Sequence, residues 1–408
     1  MARLKNLPYR EYFRYAFATT LIGVLAGLVT SLFGQGILYV THLRQDFFPY
    51  LLYFLPLAGL AIKWAYQVWG GQAARGMGLV FDVGQRKSRK IPKRLIPFAI
   101  VSTWVSHLFG ASVGREGVAV QLGASLGNLV HRILAFERAS RVFLIIGMAA
   151  GFAGLFQTPW AGTLFAMEVL IVGRIEWKAF LPALIAAQIA SWVSKHTGLE
   201  SFQVPIKESM GYSFSHVLSL VALAFFFLLI GKTFAYCLKK GKALMPSWIQ
   251  GSSWRYLLLA SMLMGLLVLT QSRYSGLGSN LIQLSFQPET GIGPRDWLFK
   301  LLLTVFSLSL GYQGGEVTPM FAMGAAGGAF LAPLLSFPPL LGAALGYIGV
   351  FGAATNTRFA AIIMGMEVFG WTNLPAYILL ILLISAFSSL GSIYSQQEVV
   401  RGTFFSLH

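Results

Sequence analysis

Four of the 14 acidic residues fall inside the glycine-rich apolar blocks of this sequence: Glu116, Glu168, Glu316 and Glu367. A charge at the centre of a bilayer costs roughly 2.5–3.5 kcal/mol on insertion scales, so each needs a partner or a water-filled route. Glu116 stands in Val113-Gly114-Arg115-Glu116-Gly117-Val118. The nearby glycines let backbone approach a ligand closely and start a helix at Val118. The free N–H groups of a helix start, with its dipole, make an anion site. A carboxylate there is itself an anion: it can fill the site when substrate is absent and leave when protonated, which couples one proton to one anion. The same residue also reads as an ion-pair partner of Arg115 or as a capping carboxylate.

Glu316 lies in Gly314-Gly315-Glu316-Val317-Thr318-Pro319. Pro319 suits a first helical turn, because its missing N–H would be unpaired there, and Thr318 is then a natural N-cap. This predicts a second helix start, with Glu316 either at the site or held by backbone donors. Glu168 and Glu367 read as helix-terminal carboxylates that pin loops or the other half. Gly76-Met77-Gly78 precedes an apolar run and suits a third short helix, with Met77 either lining the site or filling the core. Phe81 reads as core. Tyr394 ends the last apolar run, as an interface anchor or an anion donor. His107 reads as a satisfied polar residue.

Apolar elements must bring these residues together. The chain of 408 residues is 56% hydrophobic and 11% charged, against about 25% charged in a soluble domain. Long apolar runs fall at 15–43, 50–68, 215–237, 254–271 and 375–393. The shorter runs between them are interrupted at Gly151, Gly154, Pro159, Pro182, Gly311, Pro319, Gly346 and Gly349. Helices that end within a membrane are tolerable only around protein or a water-filled cavity. The blocks also repeat. GREGVAVQLG at 114–123 pairs with GGEVTPMFAMG at 314–324, and the Met-Glu-Val triplets at 167–169 and 366–368 lie 199 residues apart. A two-fold repeat with broken helices at matching places is a transporter pattern, its ligand near the midplane. The expected halves are 15–238 and 253–395, joined by a linker over 239–252.

The net charge is +17. Basic residues cluster at Arg86, Lys87, Arg89, Lys90, Lys93 and Arg94, and again at Lys232, Lys239, Lys240 and Lys242, as in cytoplasmic loops of a membrane protein rather than a nucleic-acid surface. Arg3, Lys5, Arg10 and Arg14 precede a run too long for a signal peptide, which reads as a first span with the N-terminus inside. Cys237 is the single cysteine, so no internal disulfide forms. Metal-ligand spacing, a Walker A loop and a Gly-x-Ser-x-Gly elbow are all missing, which argues against a membrane-embedded hydrolase or transferase. No cofactor is expected.

At GREGV the sequence resembles the CLC family of anion channels and anion/proton antiporters. Gly114-Arg115-Glu116-Gly117 matches the family's GREG signature, with Val118 where most members have proline. Gly314–Pro319 falls on the second helix-start motif, and Ile393-Tyr394-Ser395 looks like the central tyrosine segment. Three departures look like the bacterial fluoride-exporting branch: GREGV itself, Met77 in place of a serine, and Glu316 where chloride members usually have no carboxylate. Val169 stands where chloride/proton exchangers carry their inner proton-transfer glutamate.

The resemblance implies an all-α polytopic membrane protein: two inverted structural repeats whose broken helices meet at a mid-membrane anion site, with no cytoplasmic regulatory domain. It implies a homodimer in the bacterial inner membrane, exchanging fluoride for protons. Glu116 would gate and carry the proton, and Glu316 would serve the proton route. Met77, Gly78, Gly117, Val118, Val317, Thr318 and Tyr394 would surround the anion. A chloride/proton antiporter or a passive chloride channel is the alternative.

Overall fold

The computed structural model describes residues 9–88, 90–136, 140–211, 213–287, 291–388 and 391–400. Arg3, Lys5 and Arg89 lie outside them. The first half opens with α1 (Tyr9–Asp46) and α2 (Leu55–Ala65). Short helical turns over 66–75 then lead to α3 (Met77–Gly84), α4 (Leu95–Leu108), α5 (Glu116–Ile133), α6 (Ser140–Phe156), α7 (Pro159–Glu168) and α8 (Phe180–His196). The long α9 (Phe214–Ile249) opens the second half, ahead of the expected start at 253, because it packs on that half's helices: α10 (Ser253–Leu269), α11 (Ser279–Ser285), α12 (Pro294–Ser309), α13 (Val317–Leu334), α14 (Pro339–Thr355), α15 (Arg358–Phe369) and α16 (Leu374–Phe387). Four stretches, Glu11–Asp46, Tyr50–Gly84, Phe214–Ile249 and Val317–Leu334, are long and apolar enough to cross a bilayer.

The halves are inverted repeats, and glycine sets their packing. On α5 and α6, a Cβ at Gly123 would strike the Gly147 carbonyl and one at Gly127 the Phe143 carbonyl. On α13 and α14, Gly324 faces the Gly346 carbonyl and Gly328 the Gly342 carbonyl in the same way. Without a hydrophobic drive between helices in lipid, such close backbone approach supplies the association. Chain reversals repeat too: Gly110 (φ 90°) and Gly311 (φ 93°) turn the ends of α4 and α12 inward at equivalent places, a conformation that glycine adopts without strain.

Each half completes the other. The Ser106 hydroxyl on α4 accepts the Gln313 N–H at 3.1 Å, and the Ser307 hydroxyl on α12 accepts the Ser112 N–H at 3.0 Å. Gly114 and Gly315 form an antiparallel bridge, N to O at 2.6 and 2.8 Å. From that bridge α5 and α13 leave in opposite directions. Glu168, ending α7, accepts the Phe359 and Ala360 N–H groups that start α15, at 3.1 and 2.9 Å. Glu367, near the end of α15, accepts the Trp160 and Ala161 N–H groups that start α7, at 3.1 and 2.8 Å. These two carboxylates pin the opposite half, as their positions in the sequence predict.

Two further boundaries differ from expectation. The segment 239–252 is helix through Ile249, not a linker; its Lys, Ala, Leu and Met residues favour helix, and only 250–252 break it. The last helix ends at Phe387, so Tyr394 is not at a helix end. It lies in irregular chain tied back to the body: Ile393 N–H donates to Ala354 O at 3.0 Å and Gln397 Nε2 to Val169 O at 2.8 Å. Glu398–Val399 (β2) then pairs in parallel with Ile171–Val172 (β1).

Candidate functional site

Two helix starts, those of α5 and α13, meet at the Gly114–Gly315 bridge, and the returning C-terminal segment brings the Tyr394 phenol near them. Helix α5 begins at Glu116, two residues before the expected Val118, so the carboxylate rides on the first turn. Helix α13 begins at Val317 with Glu316 in the cap position. Thr318 is therefore not the N-cap: it lies inside the first turn and its side chain caps nothing. Counted from the bridge, Glu316 occupies in the second half the place of Arg115 in the first, since Arg115 is the cap residue of α5. The two glutamates are thus not repeat mates.

The Glu116 side chain is fully buried. Its Oε2 accepts the Thr318 N–H at 2.9 Å and its own neighbour's N–H, from Arg115, at 3.2 Å. The Arg115 Nε lies 3.6 Å from Glu116 Oε1, an ion pair too long for a hydrogen bond. A carboxylate launched from α5 therefore fills the start of α13. Glu116 thus pairs with Arg115 and lies against the outward N–H groups of a helix start, groups of the kind that hold anions.

Around it lie polar atoms that the fold leaves without partners. Thr318 Oγ1, Tyr394 Oη and Glu116 Oε1 are buried and unbonded. Such groups are costly unless something else satisfies them. The Tyr394 phenol lies within electrostatic reach of both Glu116 and Glu316. Its ring lies tilted at 5.3 Å from that of Phe81, in the body of α3. Met77 is the first residue of α3 and is half-buried against the core. Gly78 is buried, and a Cβ on it would lie 3.4 Å from Gln396 Nε2. Gly117, Val118 and Val317 are buried at the two opposed starts. Glu116, Gly117, Val118, Glu316, Val317 and Thr318 thus lie at the two helix starts joined by the Gly114–Gly315 bridge, with the Tyr394 phenol within reach of both carboxylates, while Met77 and Gly78 stand at the start of α3.

Among the described residues no backbone donor holds the Glu316 carboxylate. Lys242 Nζ on α9 donates to its Oε1 at 2.9 Å. Sequence reasoning missed this partner because Lys242 falls in the stretch read as a linker. The general rule that an acidic residue in an apolar block needs a cation was the available signal. Tyr347 was missed as well: it is buried on α14, stacks on Phe321 at 3.8 Å and lies within electrostatic reach of Glu116. His107 Nε2 lies 3.4 Å from Gly114 O, supporting the loop before Glu116. Among the described residues no cluster of three or more His, Cys, Asp or Glu forms a metal centre.

Comparison with known proteins places these features in context. A family profile described as voltage gated chloride channel matches residues 57–390. A chloride/fluoride channel protein of Pseudomonas syringae pv. tomato is 38% identical over 376 residues, spanning 90% of this chain and 82% of its own. An H+/Cl− exchange transporter of Vibrio cholerae is 26% identical, spanning 87% of this chain and 82% of its own. The crystal structure of a CLC-type fluoride/proton antiporter superposes with a TM-score of 0.94 at 44% identity, covering 97% of this chain and all of that one. A slow cyanobacterial Cl−/H+ antiporter shares the fold, with a TM-score of 0.78 at 19% identity over 91% of this chain and 93% of its own.

Proposed function

The chain belongs to the voltage gated chloride channel (CLC) family, and from that premise we propose that it is a fluoride/proton antiporter that exports fluoride while admitting protons. The observation that carries this reading is the Glu116 carboxylate on the Thr318 N–H, an anion of the protein's own standing in an anion's place. Protonation removes the charge that holds Glu116 there. The freed N–H groups of α5 and α13 then receive the substrate anion, and Glu116 returns as it loses the proton. Fluoride is small and strongly hydrated, so it gives up water only to close, strong donors. Helix-start N–H groups, a protonated carboxyl, the Thr318 hydroxyl and the Tyr394 phenol are of that kind. The likeness to the solved fluoride/proton antiporter supports fluoride as the anion.

Glu316 takes the second part of the proton route, because Val169 offers no titratable group. Met77 shapes the ion's surroundings from α3. The cell benefits because fluoride enters acidic surroundings as neutral HF and ionises inside, and proton entry then drives the ion out. We place the protein in the bacterial inner membrane with its N-terminus cytoplasmic, the side of the basic 85–94 loop. A homodimer is what the family resemblance implies.

Purified protein in liposomes tests the reading. An outward fluoride gradient should drive proton uptake, followed with an internal pH dye. Equal or faster movement of chloride would favour the chloride/proton antiporter instead, and fluoride flux without proton movement would favour the passive channel that the name of the Pseudomonas syringae relative suggests.

A further inference from the structure

Glu316 is gripped between two helices other than the one it starts. Its Oε1 receives the Lys242 ammonium from α9 at 2.9 Å. Its Oε2 lies 3.2 Å from the place a Cβ on Gly117 would take, against the first turn of α5 that carries Glu116. The Glu316 side chain is 12% exposed and that of Lys242 46% exposed, so the pair runs from the buried junction towards the surface. Among the described residues Lys242 pairs with Glu316, and the Tyr394 phenol lies within electrostatic reach of both Glu316 and Glu116. Without Lys242, an anion reaching the helix starts would meet an unpaired carboxylate.

We propose that Lys242 is a positioning residue for the anion site: its ammonium neutralises Glu316 and holds that carboxylate beside the start of α5, so that the junction keeps a net attraction for fluoride. It acts through Glu316 and does not touch the ion. This rests on the fluoride/proton reading above. The pair is not needed to dock α9, which buries Leu220, Leu223, Phe227, Ile230 and Phe234 and approaches α14 closely at Gly231. A half-exposed ion pair adds little to such an interface, so the partnership is better explained by the charge it cancels.

The experiment is calorimetric titration of sodium fluoride into the purified full-length protein and its variants, with melting temperatures recorded alongside. Lys242→Gln should weaken fluoride binding about fivefold while melting like the wild type. Lys242→Arg should restore affinity to within about twofold, since it keeps the charge. Lys240→Gln, an exposed lysine on the same helix, should change nothing. In a Glu316→Gln background, where no charge remains to be neutralised, Lys242→Gln should have no further effect. Wild-type affinity in Lys242→Gln would overturn the proposal. So would an equal loss in Lys242→Arg or in Lys240→Gln, or the full loss persisting beside Glu316→Gln. Wild-type protein that binds fluoride but moves no protons would overturn the exchanger reading and leave this one standing; wild-type protein that binds no fluoride would overturn both.

Discussion

The carboxylate of Glu116 accepts the backbone N–H of Thr318 at 2.9 Å, joining the start of α5 in one half to the start of α13 in the other across 202 positions of sequence. In the proposed exchange cycle an entering anion displaces this contact. Glu116→Gln keeps an oxygen for the Thr318 N–H but carries no charge and takes up no proton. Fluoride-driven proton movement into liposomes is therefore expected to fall by at least about a hundredfold, with the fold intact by melting temperature. Retained proton coupling in that variant would remove Glu116 from the role.

Glu168 and Glu367 do quite different work, although they share the apolar blocks with the site residues. Each accepts two N–H groups of a helix from the opposite half. A charge at a helix start is stabilising, and hydrogen bonds to charged groups are the stronger kind. Glu168→Ala and Glu367→Ala should each cost about 2–3 kcal/mol. The two caps hold opposite ends of one helix pair, so the double variant should show the sum to within about 0.5 kcal/mol. Denaturant unfolding in detergent measures this. A double variant no worse than either single one would mean that the caps act as a unit.

Much of this arrangement was legible in the sequence, because its signals are local. Gly114-Arg115-Glu116-Gly117 and Gly314–Pro319 announce helix starts through residue types that only such starts require, and the repeated Met-Glu-Val announces equivalent ends. The partner of Glu316 was not legible. The Lys242–Glu316 pair is set by where α9 passes the junction, and no spacing within either segment encodes that. The place of Tyr394 was legible only in part. An apolar run gives no sign of where its helix stops and the chain turns back, which here depends on contacts with Ala354 and Val169. Thr318 misled for a related reason: threonine is a good cap, but next to the antiparallel Gly114–Gly315 bridge the helix starts two residues earlier, with Glu316 as its cap and Val317 as its first residue.

Met77 opens α3 with a thioether where a serine hydroxyl would give the site another donor. Serine is also much smaller than methionine, so the substitution opens room that the larger chloride needs and fluoride does not, with the new hydroxyl in reach of it. Met77→Ser is accordingly expected to raise the ratio of chloride to fluoride transport about tenfold, the worth of one good hydrogen bond. Competing anion fluxes in liposomes check this. An unchanged ratio would confine Met77 to packing.

Tyr394 offers a sharper separation of structure from function. Its hydroxyl is buried and has no hydrogen-bond partner among the described residues, while its ring packs on Phe81. Tyr394→Phe keeps the ring and deletes an oxygen that bonds nothing in the fold. Its stability should therefore stay within about 0.5 kcal/mol of the wild type, or rise slightly. If that hydroxyl serves the anion, fluoride affinity should fall about five- to tenfold in the same variant, because the lost bond is one to a charged partner. Titration calorimetry and thermal melting on one preparation read both quantities. Loss of stability with unchanged affinity would make Tyr394 a structural residue, and a loss of affinity alone would make its hydroxyl a ligand.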